Sequence, residues 1–350
     1  MAKAAVLPAA IRLPATLAEI RRLFDAFDWT SMAHQVEEET LTHVAIVGPV
    51  NSGKSTLFNF LKGHDISPVG AVPGTTRTLL NEQWGPFTLV DTPGFGEVDG
   101  VDRAGTALSG IDSANVIVLV LDAGAGVRQT DFALLHRLRA TNKPVIAVLN
   151  KIDLLGKEWG AVLEHARTTL NEPNLIPISA KKGTNIAELL LPRVVDAHPA
   201  LAVSIGRAIP AYRRHACVKV IRAAAAINAV VGLEPVPGLD IPFLLASQAR
   251  MVLRIAAIYG EPMSTQHAKE LIATIAGGVA LRYLGQEGAK LLPAAGWVVA
   301  AGVAAAGTYA MGQVAVQYFE HNKTLTPEQM QALYRRKRRR RERELAKGEE

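Results

Sequence analysis

The stretch His43 to Leu57, HVAIVGPVNSGKSTL, constrains this chain more than any other. Val44 to Val47 form a short apolar run rich in β-branched residues and closed by Gly48, the pattern of a buried strand delivered into a tight turn. Gly48, Gly53, Lys54 and Ser55 then have the spacing of a phosphate-binding loop set between a strand and a helix. Glycine at the two fixed positions lets successive N–H groups converge on one anion, where a Cβ would intrude. Lys54 offers a point charge to the β and γ phosphates and Ser55 a hydroxyl to magnesium. The helix predicted from Lys54 to Leu61 turns its positive end toward the same anion.

Downstream, chemistry-bearing residues recur at strand ends. Residues 63–77 are punctuated by Gly and Pro and carry Thr75 and Thr76, hydroxyls close in sequence to the phosphate loop. Residues 78–83 and 87–90 read as a hairpin around Trp84-Gly85-Pro86, running into Asp91-Thr92-Pro93-Gly94. An acid at the carboxyl end of a buried strand lies on the sheet edge where ligands collect, so Asp91 can hold magnesium and the Gly94 N–H can meet a γ phosphate. Asn115 to Leu121 is a continuous apolar run, as in a parallel strand covered on both faces. A helix from Gln129 to Ala140 follows. Val145 to Leu149 ends in Asn150-Lys151-Ile152-Asp153, and Leu175 to Ile178 ends in Ser179-Ala180-Lys181, before a helix from Asn185 to about Val195. This alternation predicts an α/β fold with a mostly parallel sheet.

The motifs GPVNSGKS, TT, DTPG, NKID and SAK, in this order within residues 41–198, resemble the five signature elements of a small GTPase domain. The resemblance is to the translation-factor-like branch that includes Era, the tRNA-modifying GTPases and the ribosome-assembly GTPases with doubled G domains. It implies a P-loop fold binding GTP or GDP with Mg²⁺. It places the nucleotide against Gly48, Asn51, Ser52, Gly53, Lys54, Ser55 and Thr56, with Ser55, Thr76 and Asp91 on the metal and Lys54, Thr76 and Gly94 serving catalysis. Asn150 and Asp153 would recognise guanine, Lys151 would lie along the base, and Ser179, Ala180 and Lys181 would close over it. Such a site discriminates because adenine would leave the Asp153 carboxylate unpaired.

Several residues qualify the mechanism. Phe95 stands where Ras-like enzymes carry a water-orienting glutamine, so another group must position the water. Asn51 matches the asparagine with which related GTPases help bind K⁺, which implies K⁺-stimulated, intrinsically slow hydrolysis. Val50 replaces the usual proline of the loop and Thr78 follows TTR where Asp is common.

Past His198-Pro199 the texture changes to Ala-rich, helix-like sequence, predicting an all-α second domain with helices near 212–232, 241–259, 264–286 and 291–320. The segment from Ala223 to Gly260, with its break at Glu234-Pro235-Val236-Pro237-Gly238, resembles a helical domain of unknown function found in YcjF-related proteins and attached to some GTPases. The expected organisation is an N-terminal helical extension over 1–40, with a helix at 15–29, a G domain over 41–199, the Ala-rich domain over 200–321 and a basic helix over 322–350.

Two features bear on partners. Leu291 to Phe319 contains no charged residue and is long enough to span a bilayer, yet it is rich in Ala and Gly and carries Gln313 and Gln317, so a soluble bundle and an inserted hairpin both stay open. The formal charge of +6 lies mainly in residues 335–350, where nine Lys and Arg face four Glu. This run would attract an anionic membrane surface or RNA phosphates, and a nucleotide-dependent dimer is also compatible. With Cys217 the sole cysteine and Pro8, Arg12 and Pro14 interrupting the first apolar run, the expectation is a cytoplasmic protein, free or at the inner face of the membrane.

Overall fold

A computed structural model of the chain describes residues 28–63, 81–90, 111–233, 241–261, 271, 274 and 295–347. Residues Glu38–Tyr212 form one compact unit, and the described residues of 28–37 and 213–347 form the other.

The first unit is built on a sheet. After helix α1 (Trp29–Thr40), strand β1 (Val44–Val47) leads into helix α2 (Lys54–Lys62); β2 (Asn81–Trp84) and β3 (Phe87–Val90) form a hairpin; then come β4 (Val116–Asp122), α3 (Gln129–Arg139), β5 (Val145–Asn150), α4 (Trp159–Leu170) and the short β6 (Ile176–Pro177). The sheet order is β2-β3-β1-β4-β5-β6. All neighbours run parallel except the β2–β3 hairpin, whose rings Trp84 and Phe87 stack across the Gly85-Pro86 turn. The register pairs Ile46 with Leu89 on one side and with Val118 on the other, so β1 is central and its outgoing loop lies where the strand order reverses.

The fully apolar runs are the most buried. All four residues of β1 are buried, as are Val116–Leu121 of β4, because helices cover a parallel sheet. Leu134, Leu135 and Leu138 of α3 and Leu163, Ala166 and Leu170 of α4 join Ile117, Leu119 and Leu149 in one core. Their spacing of three and four residues is the apolar stripe a covering helix needs. Beyond β6 the chain forms a π turn over Ile186–Leu190, then α5 (Leu191–Ala197) and α6 (Leu201–Ala208). Pro192 has no N–H to continue the ladder, and the turn before it loosens so that the Leu190 N–H donates to the Asn185 carbonyl at 3.0 Å.

The second unit is helical: α7 (Arg213–Gly232), α8 (Ile241–Ile258), α9 (Ala295–Glu320) and α10 (Pro327–Ala346). Helix α9 packs on the other three. A Cβ at Gly312 would lie 2.4 Å from the Ile221 side chain, which shows how closely α9 approaches α7. Between them lies a polar knot, where the Thr308 hydroxyl accepts from Asn228 Nδ2 at 2.7 Å and Gln248 Nε2 at 3.1 Å, all three residues being buried. Thr326 caps α10 with Pro327 behind it and Gln329 reciprocating, as its sequence predicts.

The helices predicted near 212–232, 241–259 and 291–320 are present; those predicted at 15–29 and 264–286 lie outside the described residues, apart from positions 28, 29, 271 and 274. Helices α1, α4 and α6 were not anticipated. The charge-free stretch of α9 is buried from Ala304 to Val316 by its neighbours at most positions. Among the described residues, Pro210–Gly232 is long and apolar enough to cross a membrane by length and composition, with 39% of its apolar window buried.

Candidate functional site

The carboxyl ends of β1, β4, β5 and β6 share one sheet edge, and there the chain places Gly48–Ser55, Asp122, Asn150–Asp153 and Ser179–Lys181. At Gly48 φ is +149°, and a Cβ would sit 2.2 Å from the Val120 carbonyl oxygen. Gly53, the residue before α2, has φ of +91°, and its Cβ would sit 2.2 Å from Asn150 Nδ2. Only glycine fits either position, because both the backbone conformation and the space exclude a side chain. The loop therefore folds tightly against β4 and β5.

Lys54 opens α2 with its side chain largely buried, its Nζ donating to the Pro49 carbonyl at 2.9 Å. This holds the ammonium against the loop that would carry the phosphates. Ser55 is exposed and Thr56 half-buried in the same turn. Ser52 is buried, and its hydroxyl has no hydrogen-bond partner among the described residues. An orphaned buried hydroxyl is costly, and a phosphate oxygen is a partner it could gain.

Asn150 ties three segments together. Its side chain, 1% exposed, donates from Nδ2 to the Ser52 carbonyl at 2.9 Å and accepts at Oδ1 from the Ala180 N–H at 2.9 Å. The residue that resemblance assigns to guanine thus uses its amide to lock the phosphate loop to the Ser179–Lys181 loop. Its neighbour Asp153 is half-buried; Oδ1 accepts from the buried Ser179 hydroxyl at 2.6 Å, and Oδ2 has no protein partner among the described residues. Ser179 in turn exchanges backbone hydrogen bonds with Thr184 at 3.2 and 3.1 Å, and its hydroxyl accepts from the Lys182 N–H at 3.2 Å, which fixes the carboxylate that it holds. Lys181 is exposed.

Lys151 has φ of 68° and donates from Nζ to the Asn51 carbonyl and to Asp122 Oδ2, the latter at 2.7 Å. Burial pushes the Asp122 carboxyl up, but the Lys151 bond and the Gly124 and Ala125 N–H groups outweigh it and leave the group below its ordinary value. Asp122 was missed in the sequence, although an acid at the end of a buried strand is the signal that picked out Asp91. Asn51 is exposed, with φ of 65°. Thr76, Asp91 and Gly94, with Phe95, lie outside the described residues. The structure thus gathers every described member of the predicted set onto one edge. Of the magnesium ligands expected, Ser55 alone falls among the described residues.

Residues 43–151 match the family of 50S ribosome-binding GTPases, and residues 200–343 match a domain of unknown function, DUF697. A protein named GTPase Der from Desulforudis audaxviator is 39% identical over 155 residues, covering 42% of this chain and 35% of that protein. GTPase Der of Caldanaerobacter subterraneus is 39% identical over 156 residues, with the same shares. The chain thus spans about a third of the length of the curated relatives it matches. An Era structure from Aquifex aeolicus, bound to GDP and aluminium fluoride, is 28% identical and covers 53% of this chain and 66% of that one, with a TM-score of 0.37. The two family matches follow one another along the chain without overlap.

Proposed function

We propose that this chain, carrying a GTPase-family domain ahead of a helical one, binds GTP and hydrolyses it to GDP as a molecular switch. The observation that carries the reading is the Asn150 bridge, because it sets a glycine-cradled phosphate loop in register with a carboxylate that has one oxygen unpartnered among the described residues. In this reading Gly48 to Thr56 wrap the phosphates, and Lys54 moves from the Pro49 carbonyl to the β and γ oxygens. Asp153 accepts from the two ring-edge donors of guanine; adenine lacks that pair and would leave the carboxylate desolvated and unmatched. The Lys151 stem lies along the base while its ammonium stays tied to Asp122 and Asn51. Ser179, Ala180 and Lys181 close the base pocket.

Bound Mg²⁺ would neutralise developing charge on the phosphates; Ser55, Thr76 and Asp91 are the residues proposed to hold it, with Thr76 and Gly94 sensing the γ phosphate. The exposed Asn51 is proposed to help bind K⁺ beside the loop. The helical domain is the output element, and its basic α10 attracts an anionic partner, at the inner face of the cytoplasmic membrane or in the cytoplasm. Phosphate release from GTP tests the reading: turnover of GTP but not ATP, lost in Lys54→Ala, is expected. Equal turnover of the two, or turnover that survives Lys54→Ala, would overturn it.

A further inference from the structure

Between residues 335 and 344 of α10 every exposed residue is an arginine: Arg335, Arg336, Arg339, Arg340 and Arg343. The carboxylates in this stretch, Glu342 and Glu344, are half-buried and bound to Arg338, Arg340 and Arg341. Arg335, Arg336, Arg339 and Arg343 face no carboxylate among the described residues. Beside this stripe lies a cleft of about 430 Å³, lined by Arg222 of α7, Tyr309 and Gln313 of α9, and Lys337, Arg340 and Arg341 of α10, with Glu344 at its edge. The Arg341 guanidinium lies 5.1 Å from the Tyr309 ring centroid, a cation–π contact that orients it. Neither Arg222 nor Lys337 pairs with a carboxylate among the described residues.

Four cations against one carboxylate in a concave site repel one another, and the cleft walls focus their field. Among the described residues no side-chain hydrogen bond or ion pair uses Arg222 or Lys337, so no polar contact seen in the bundle accounts for their charges. It is the arrangement an external polyanion would relieve. Arginine dominates, and its planar fork pairs bidentately with phosphate. Arg336, Arg340 and Arg343 rise about 6 and about 4.5 Å apart along the helix, a spacing on the scale of a nucleic-acid strand with one charge per ~3.4 Å.

A membrane fits less well. The outward face from 335 to 344 carries no apolar residue to enter the acyl boundary, and a flat headgroup layer would meet the stripe without reaching into the cleft. We propose that the Arg222–Tyr309–Lys337 cleft and the adjoining arginine stripe form one surface that binds the phosphodiester backbone of a nucleic acid without reading its bases. No exposed aromatic residue interrupts the stripe, which leaves no platform for base stacking. The surface lies wholly within the helical unit, so this inference does not depend on the nucleotide reading.

The test is fluorescence anisotropy of the full chain with a short labelled single-stranded RNA, and with DNA of the same sequence, across a tenfold range of KCl. Binding should fall with salt, each phosphate contact contributing a log–log slope of about −0.7. Arg222→Ala should lose one such contact, which is about fivefold weaker binding at ~0.1 M salt, while Arg222→Lys keeps the wild-type slope. Lys337→Ala should repeat the loss and decides the matter should Arg222→Ala fold poorly. Wild-type binding by both alanine variants would overturn the proposal. So would absence of RNA and DNA binding, with or without flotation on phosphatidylserine vesicles. A guanine-nucleotide titration on the same samples reports the phosphate loop separately.

Discussion

Replacing Asn150 by Ala tests whether this side chain is the tie between two loops or a direct ligand of the base. In the structure it satisfies two backbone groups, the Ser52 carbonyl and the Ala180 N–H, each at 2.9 Å, and Ser52, Asn150 and Ala180 are each 1% exposed. Truncation removes both bonds and leaves both backbone groups dry. Each orphaned group costs about 1–3 kcal/mol, so the sum is about 2–6 kcal/mol before any water enters. Taking ~3 kcal/mol as the working value, the loss is a large part of the ~5–15 kcal/mol that a domain has in total. Asn150→Asp refines the experiment: it is nearly isosteric, keeps the acceptor for Ala180 and sets a carboxylate oxygen against the Ser52 carbonyl, so it should also destabilise. The assay is urea unfolding of the nucleotide-free protein, beside fluorescence titration with guanine nucleotide. The bridge predicts that stability falls in the absence of nucleotide and that affinity falls with it. If Asn150→Ala left nucleotide-free stability within ~0.5 kcal/mol of wild type while abolishing preference for guanine, the bridging argument would be refuted.

Other outcomes follow from the same structure. Gly48→Ala would push a Cβ into the Val120 carbonyl, so nucleotide binding should drop by at least about two orders of magnitude, read by calorimetry; ordinary affinity would show that the loop is pliable. Burial, with the Glu320 carboxylate adding to it against partial opposition from Arg213, pushes the Cys217 thiol up from its ordinary 9.0 to about 12. Native protein should therefore resist thiol reagents at pH 8 and react on unfolding. Because the unfolded thiol ionises near pH 9 and the folded one does not, this group's contribution to stability is constant below pH 9 and falls between pH 9 and about 12. Hydrolysis should run several-fold faster in KCl than in NaCl, with the difference lost in Asn51→Ala; equal rates in the two salts would remove the proposed cation.

What the sequence disclosed depended on how local the cause was. Gly48 and Gly53 announced the phosphate loop because backbone shape alone demands glycine there, and the start of α10 at Thr326 is equally local, since a capping box is complete within four consecutive residues. Apolar runs such as Val116–Leu121 revealed the central strands, since burial on both faces needs no partner to be specified. Helix α1 stayed hidden, because its sequence WTSMAHQVEEET buries only Trp29 and Val36 among apolar residues and so shows no clear apolar stripe. Helix α4 passed unnoticed although Leu163, Ala166 and Leu170 have helical spacing. The Asn150 bridge could not be read at all: its partners are backbone groups 98 and 30 residues away, and a backbone carbonyl has no signature in sequence. Asp122 was legible in principle, yet its pairing with Lys151 depends on β4 and β5 being neighbours in the sheet.

Asp153, steadied by Ser179 and with one oxygen unpartnered among the described residues, is proposed to select guanine for a phosphate loop joined to it through Asn150. The most direct test is calorimetric titration of purified protein with GDP and with ADP, for wild type and Asp153→Ala. Tight GDP binding with no detectable ADP binding is expected in the wild type, with loss of that discrimination in the variant. Equal affinity for both nucleotides in the wild type, or undiminished preference for GDP in Asp153→Ala, would contradict it.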